Sequence, residues 1–127
     1  MKAGDIKRLP DSELEIMQVL WGLEAPVTRA RLEEAVAEIH PMAQTTLLTL
    51  VSRLAAKDFV RIDKQGRSSV YTPLVGKGDY LSSQSRRFVD KVCGGSMTAF
   101  AAALCDGGLS SEEIAELRKL LDEGSLG

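Results

Sequence analysis

Residues 43–57 constrain the fold most, because an apolar stripe at helical spacing there is followed at once by two strand-like segments. Apolar side chains recur at i, i+3, i+4 and i+7, at Leu47, Leu50, Val51 and Leu54. This spacing predicts a helix with one buried face. Residues 59–63 and 69–74 are rich in Val, Ile, Tyr and Thr, and Gly66 between them suits a tight turn. The sequence therefore predicts a helix that leads directly into a two-stranded hairpin.

Two further helices are predicted before this unit. Ser12 and Glu15 have the spacing of a capping box, and apolar residues follow at helical intervals up to Trp21. Thr28 is expected to cap a second helix, which His40 and Pro41 end. The buried stripe of that second helix is predicted to be Leu32, Ala35, Val36 and Ile39. Three helices and a hairpin in this order predict a winged helix-turn-helix domain.

The rest of the chain has the pattern of helices alone. A fourth helix is predicted up to Gly94 and Gly95, with Leu81, Gln84, Phe88 and Val92 on one face, and a short fifth helix ends at Gly107 and Gly108. Ser110 and Glu113 form a second capping box before a sixth helix. Residues 75–79 contain two glycines and predict a hinge or a boundary between two parts of the chain. We therefore expect a mostly α fold with a small β-hairpin, divided into a DNA-binding domain at 1–75 and a helical dimerisation region at 76–127.

Charge is distributed unevenly along the chain. The formal net charge is −2, yet residues 39–75 carry five basic side chains against two acidic ones.

An N-terminus too polar for a signal peptide and apolar runs too short to span a membrane predict a cytoplasmic protein. Cys93 and Cys105 are too few for a disulfide framework, and we expect them to be reduced and buried.

The outward face of the third helix is the most informative surface. It is predicted to carry hydroxyls, one leucine and one arginine, at Thr45, Leu48, Thr49, Ser52 and Arg53. A helix of this kind fits the major groove of B-DNA, where its side chains reach base edges. Arg61, Lys64 and Arg67 on or beside the hairpin would contact the flanking phosphates. The alternatives are an ordinary solvated helix face and charges that protect an edge strand.

Enzymatic chemistry is not expected. His40 is the single histidine, and it has no Ser, Cys or carboxylate at a spacing that suggests a catalytic relay. The paired glycines lack the strand and helix context of a phosphate-binding loop. We expect no cofactor, no metal and no catalytic residue.

The C-terminal helices carry more apolar surface than about 50 residues can bury alone. The residues concerned are Leu81, Phe88, Val92, Ile114, Leu117 and Leu121. We therefore expect a homodimer, which would present two recognition helices to a palindromic operator. The alternative is a monomer whose C-terminal helices fold back onto the winged domain.

Several motifs together resemble the penicillinase repressor (BlaI/MecI/CopY) family of winged-helix regulators. They are LPDSELEIM at 9–17 with Trp21, then TL, TL and SRL between 46 and 54, then KDFV at 57–60. FVDKV at 88–92 with two glycines, and LS, EEI and ELR between 109 and 118, continue in the same order. The resemblance covers about residues 9–122. It implies a dimeric cytoplasmic repressor with a winged-helix head, and it adds Thr46 to the expected DNA contacts.

The resemblance also implies a route of induction, from which this chain departs in places. In the beta-lactam-responsive branch, the signal of a membrane sensor protease leads to cleavage in the tail. Ala103 and Leu104 stand where those relatives carry Asn-Phe, and Leu48 stands where they carry arginine. The missing arginine implies a different operator, for example one that presents a thymine methyl group. The Cys-x-Cys pairs of the copper-responsive branch are absent, so metal sensing by that route is not expected. The alternative for Cys93 and Cys105 is that they sense thiol oxidation or bind a metal across the dimer.

The function expected from these patterns is transcriptional repression. The resemblance extends this to control of beta-lactam resistance or a related envelope-stress response, with the membrane sensor protease acting indirectly and without membrane insertion of the chain itself. The alternative hypothesis is a winged-helix module that docks a protein partner through Leu48 and its neighbours, without sequence-specific DNA binding.

Overall fold

The computed structural model describes residues 6–124, and within them six helices and three strands follow one another. In chain order they are α1 Asp11–Trp21, β1 Val27–Thr28, α2 Arg29–Ile39, α3 Gln44–Ala56, β2 Val60–Gln65, β3 Ser68–Pro73, α4 Lys77–Lys91, α5 Met97–Asp106 and α6 Ser111–Gly124. They form two compact units that divide between Gln84 and Ser85. The predicted mostly α fold with a winged helix-turn-helix is confirmed. The predicted domain boundary after residue 75 stays a prediction.

The sheet has three strands where the sequence analysis predicted two. All neighbours are antiparallel, in the order β1-β3-β2, and Val27 of β1 pairs with Tyr71 of β3. The two-residue strand β1 was missed because so short a segment carries no alternating pattern. The turn between β2 and β3 is as predicted, since Gly66 has a φ of 63°, which glycine adopts without strain.

One hydrophobic core holds the first unit together. The predicted inward residues of α3 are all buried, at Leu47, Leu50, Val51 and Leu54. They pack in a cluster with Ile16, Met17 and Leu20 of α1, Leu32 and Val36 of α2, and Phe59 and Tyr71 of the sheet region. The apolar stripe of α3 therefore faces inward, which leaves its other face to solvent.

Two local predictions about the first helices are wrong. Ser12 does not cap α1. The helix begins at Asp11, so Ser12 already lies in its first turn, and Pro10 at the N-cap position makes no side-chain hydrogen bond. Ile39 is 60% exposed. It is the last residue of α2 and lies beyond the buried stripe. The predicted Thr28 cap is confirmed, since its hydroxyl accepts a hydrogen bond from the Arg31 amide.

The end of α3 sets the path of the chain into β2. Asp58 adopts a left-handed φ of 63°, and the amides of Asp58 and Phe59 donate to the carbonyls of Ala55 and Leu54. These two bonds form a Schellman motif. Phe59 and Leu54 are both buried, which is the apolar contact that accompanies the motif. The hairpin therefore leaves α3 at a fixed angle.

The predicted hinge at 75–79 is not observed. Val75 is buried and its carbonyl accepts a hydrogen bond from the Trp21 indole, while Lys77 already begins α4. Tyr80 is buried and its hydroxyl accepts a bond from the Leu9 amide. The glycine pattern suggested flexibility, but packing of Val75 and Tyr80 overrides it.

The second unit has little buried surface of its own. No residue of α5 or α6, both of which lie wholly within the described range, is buried. Cys93 is half-buried and Cys105 is exposed, so the prediction that both cysteines are buried is wrong. Cys105 lies in α5, which has no buried residue, and Cys93 lies in the segment between α4 and α5. The capping box of α6 is confirmed by reciprocal bonds between Ser110 and Glu113 at 2.9 and 3.1 Å.

Among residues 6–124, no helix combines the length and the apolar character that crossing a membrane requires.

Candidate nucleic-acid interface

The outward face of α3 is exposed, as the sequence analysis predicted. Thr45, Thr46, Thr49, Ser52 and Arg53 are exposed, and Leu48 is half-buried. Leu48, Thr49, Ser52 and Arg53 line one shallow depression together with Ala56. The structure thus brings four of the six predicted α3 residues into one surface, while Thr45 and Thr46 lie one turn nearer the start of the helix.

The polar groups of this face differ in what they can offer a ligand. The Thr49 hydroxyl donates to the Thr45 carbonyl at 2.9 Å. Its proton is therefore used within the helix, and its lone pairs remain available to accept a hydrogen bond from a ligand. In the described part of the chain, the guanidinium of Arg53 has no carboxylate partner. The face therefore presents one unneutralised cation among hydroxyl and apolar groups.

The basic residues of the hairpin differ in their surroundings. Register pairs Ile62 with Tyr71, a core residue, so Ile62 lies on the sheet face that packs on the helices. Lys64, near the turn, is exposed and lines one surface depression together with Arg61 and Asp63. Arg61 and Asp63 lie on the opposite face and form an ion pair of 2.8 Å. Arg67 lies in the exposed turn after Gly66. Lys64 and Arg67 have no carboxylate partner among residues 6–124, whereas the charge of Arg61 is offset.

A hydrogen-bonded network fixes the start of α3, and the sequence analysis missed it. Gln44, the first residue of α3, donates to the Glu33 carboxylate at 3.0 Å, and Arg29 donates to the same oxygen at 2.8 Å. The Arg29 bond first, and the Gln44 bond second, lower the pKa of Glu33 from its ordinary value. The spacing of Arg29 and Glu33 is that of a helical ion pair, but Gln44 gave no comparable signal.

A second polar contact, also missed, anchors the other end of α3. Lys57 Nζ lies 2.5 Å from Glu13 Oε1, and the Glu13 side chain is only 3% exposed. Glu13 lies in α1, 44 residues earlier in the chain. Only the position of Glu13 among the apolar residues of α1 could have indicated its burial. The orientation of α3 is therefore set by polar bonds at both ends as well as by its leucine stripe.

These bonds change the charge that the region presents. Of the five basic residues in 39–75, Lys57 is paired with Glu13 and Arg61 with Asp63. The other three basic residues of this segment, Arg53, Lys64 and Arg67, have no carboxylate partner among residues 6–124. The same described residues contain no group of three or more His, Cys, Asp or Glu side chains that could hold a metal ion.

A helix-turn-helix whose second helix exposes a polar face, followed directly by a β-hairpin, defines a winged-helix protein. Comparison with known proteins then places the chain more narrowly. The model of the penicillinase repressor family matches residues 9–123. The chain belongs to the penicillinase repressor family, whose members are transcriptional repressors, and the family resemblance found in the sequence is confirmed.

Individual relatives agree with this placement. The chain is similar to the penicillinase repressor of Bacillus licheniformis, with 30% identity over 119 residues that cover 93% of this chain and 92% of the relative. It is also similar to the methicillin resistance regulatory protein MecI of Staphylococcus aureus, with 26% identity over 116 residues, covering 91% and 94% of the two chains.

Solved structures show the same fold. The solution structure of the DNA-binding domain of the repressor BlaI has 30% identity and a TM-score of 0.53, covering 63% of this chain and 94% of that one. The Bacillus licheniformis BlaI monomer in complex with the blaP half-operator has 30% identity, a TM-score of 0.52 and the same coverage.

Proposed function

We propose that this chain is a transcriptional repressor that inserts α3 into the major groove of operator DNA. The observation that carries the proposal is the exposed polar face of α3, on which Arg53 has no carboxylate partner in the described structure. A helix of this kind fits the major groove, and arginine is the commonest side chain for guanine recognition there. The complex of the similar BlaI monomer with a half-operator supports the same use of this fold.

The hairpin supplies backbone contacts in this proposal. Lys64 and Arg67 carry unneutralised charge and would contact phosphates beside the groove. Arg61 would contribute less, because Asp63 already offsets its charge. Of the remaining predicted contacts, Thr45, Thr46, Thr49 and Ser52 would bind base edges or phosphates through their hydroxyls. DNA binding also places the proposed site of action in the cytoplasm, and no catalytic role is proposed.

Salt-dependent binding tests the DNA-binding proposal. Fluorescence anisotropy of a duplex from the region upstream of its own gene should show binding that weakens steeply with salt. The double variant Arg53→Ala, Arg67→Ala should bind more weakly, because a base contact is lost, and with a salt slope lower by about one, since the lost phosphate contact of Arg67 removes about 0.9. Arg87→Ala, which removes an exposed arginine of α4, is the matched control and should bind as the unmodified protein does.

The outcome separates repression from the alternative protein-docking function. A docking module would be indifferent to both arginines and would show no salt-sensitive binding at micromolar protein. That result would end the DNA-binding proposal.

We further propose that the repressor is a homodimer formed through its C-terminal helices. Four of the six predicted dimerisation residues are exposed, namely Leu81, Phe88, Val92 and Leu121, while Ile114 and Leu117 are half-buried. Leu104, Leu109, Leu117 and Leu120 line a largely apolar pocket in the second unit. Exposed apolar surface of this extent is costly in water and indicates a partner. A second copy would also present the two α3 helices that a palindromic operator requires.

Sedimentation tests the dimer. The unmodified protein should sediment as a dimer, and Leu117→Asp should yield monomers because it buries a charge in the interface. Arg118→Asp, which changes the adjacent exposed residue in the same helix, should remain dimeric. A monodisperse monomer of the unmodified protein would contradict the proposal.

The inducing signal is also proposed from the relatives. Their names associate them with penicillinase and methicillin resistance, so we propose that this chain answers a beta-lactam or related envelope signal, with a membrane sensor protease acting indirectly. The bond between Ala103 and Leu104 lies inside helix α5. Cleavage there would require α5 to unwind first, so unwinding of this helix is the step that a signal would have to control.

A further inference from the structure

Leu48 is the one predicted contact on α3 to which the proposed function assigns no ligand, and it lines the shallow depression on this helix. Its lining residues are Leu48, Thr49, Ser52, Arg53 and Ala56, and its volume is about 390 Å³. It opens on the side of α3 that faces away from the core. Because the depression is shallow and open to solvent, a base edge in the major groove can lie against it.

The lining of the depression combines apolar and polar side chains. Leu48 and Ala56 offer only carbon, and the Thr49 hydroxyl proton is donated to the Thr45 carbonyl. Arg53 offers several N–H donors and has no carboxylate partner among the described residues. The depression thus has an apolar part beside a strong donor.

One base-pair feature matches an apolar surface in the major groove, the C5 methyl group of thymine. Leu48 and Arg53 are five residues apart, so their positions differ by about 7.5 Å along the helix axis. With base pairs about 3.4 Å apart, this corresponds to about two base steps. A thymine beside Leu48 and a guanine beside Arg53 can therefore be contacted together.

A protein partner fits the depression less well. Protein interfaces bury clustered anchors that are most often Trp, Tyr and Arg, whereas the outward face of α3 carries one arginine, one leucine and hydroxyls, with no aromatic side chain. An isolated, half-buried leucine suits one methyl group better than a partner surface.

We propose that Leu48 is a specificity-determining residue that holds the C5 methyl group of one thymine in each operator half-site. The inference rests on the DNA-binding function proposed above. It assigns to Leu48 a contact that depends on one methyl group of the DNA, which can be removed without changing base pairing.

Replacement of thymine by deoxyuridine tests the inference. The probe is the duplex enriched by the full-length protein from a random-sequence library, and each thymine is replaced in turn. Loss of one buried methyl group should weaken binding about fourfold at one thymine position of a half-site. Leu48→Ala should bind the thymine duplex more weakly and should no longer distinguish thymine from deoxyuridine at that position. Ile39→Ala removes an equally apolar, exposed side chain from α2 and should keep the full discrimination.

The outcomes separate the inference from the proposed function. Tight, salt-sensitive binding with no effect of deoxyuridine at any position would overturn the inference and leave the DNA-binding function standing. Discrimination that persists in Leu48→Ala would also overturn it. Failure of the protein to bind or enrich any duplex would overturn both. The circular dichroism spectrum and thermal unfolding of Leu48→Ala confirm that a loss of discrimination occurs in a folded protein.

Discussion

The buried ion pair between Glu13 and Lys57 makes a sharp prediction about stability. The Glu13 side chain is 3% exposed, and its oxygen lies 2.5 Å from Lys57 Nζ. Lys57→Met keeps the apolar stem and removes the charge, which leaves a carboxylate buried without its partner. Breaking a buried pair in this way costs about 3–5 kcal/mol. Because Lys57 is itself 30% exposed, water compensates in part, and we expect about 2–3 kcal/mol.

Urea denaturation measures this cost. With a slope of about 1.5 kcal/mol per M, the midpoint should fall by about 1.3–2 M. Glu13→Leu combined with Lys57→Met should recover most of the loss, since apolar side chains can replace a buried pair at little cost. Lys119→Met, at an exposed position of α6, should leave the midpoint unchanged. A Lys57→Met midpoint within 0.3 M of the unmodified protein, roughly 0.5 kcal/mol at this slope, would refute the reasoning.

Two further predictions concern the ends of α3. Asp58→Gly should stabilise the protein by about 0.5 kcal/mol, as measured by urea denaturation. A left-handed φ strains an L-residue, and relief of that strain exceeds the cost of the extra freedom that glycine has in the unfolded state. A loss of stability of similar size would show that the Asp58 side chain makes a needed contact. Hydrogen bonds lower the pKa of Glu33, so its stabilising contribution is complete above its ordinary pKa of about 4.3 and is lost as the pH falls through the lower folded value. The difference in stability between the unmodified protein and Glu33→Gln, measured from pH 3 to 7, should therefore be largest above pH 5 and shrink below pH 4, and a difference that grows towards acid would contradict this.

Local sequence patterns predicted the parts of the fold that local physics determines. The leucine stripe of α3 follows from helical periodicity, and the turn at Gly66 follows from the left-handed φ that glycine permits. Thr28 could be recognised as a cap because its hydrogen bond reaches an amide only three residues further along the chain. Each of these features depends on neighbours within about one turn of chain.

Features that depend on distant partners were missed. Glu13 and Lys57 are 44 residues apart, and β1 exists only because β3 lies beside it. The glycines near residue 76 suggested a hinge, but Tyr80 packs against Trp21 and Phe59 with ring centroids 5.8 Å apart and ties the start of α4 to the core. Periodicity contains no information about such pairings.

In the candidate interface, too, some features follow from the local sequence and others depend on partners distant in the chain. The exposed residues of α3 follow from its buried stripe, because the two faces of one helix are complementary. The charge available to DNA did not follow from counting basic residues, since Lys57 and Arg61 each have an acidic partner in the folded chain. Arg53, Lys64 and Arg67 remain as the cations on which the proposed interface depends.

Titration of ¹⁵N-labelled protein with an enriched operator duplex, followed by amide NMR, tests most directly whether α3 and the hairpin form the DNA-binding surface. The largest shifts should fall on residues 45–53 of α3 and on the turn near Arg67, with small changes at the buried leucines. Shifts confined to α5 and α6, with α3 unperturbed at saturating DNA, would contradict this prediction.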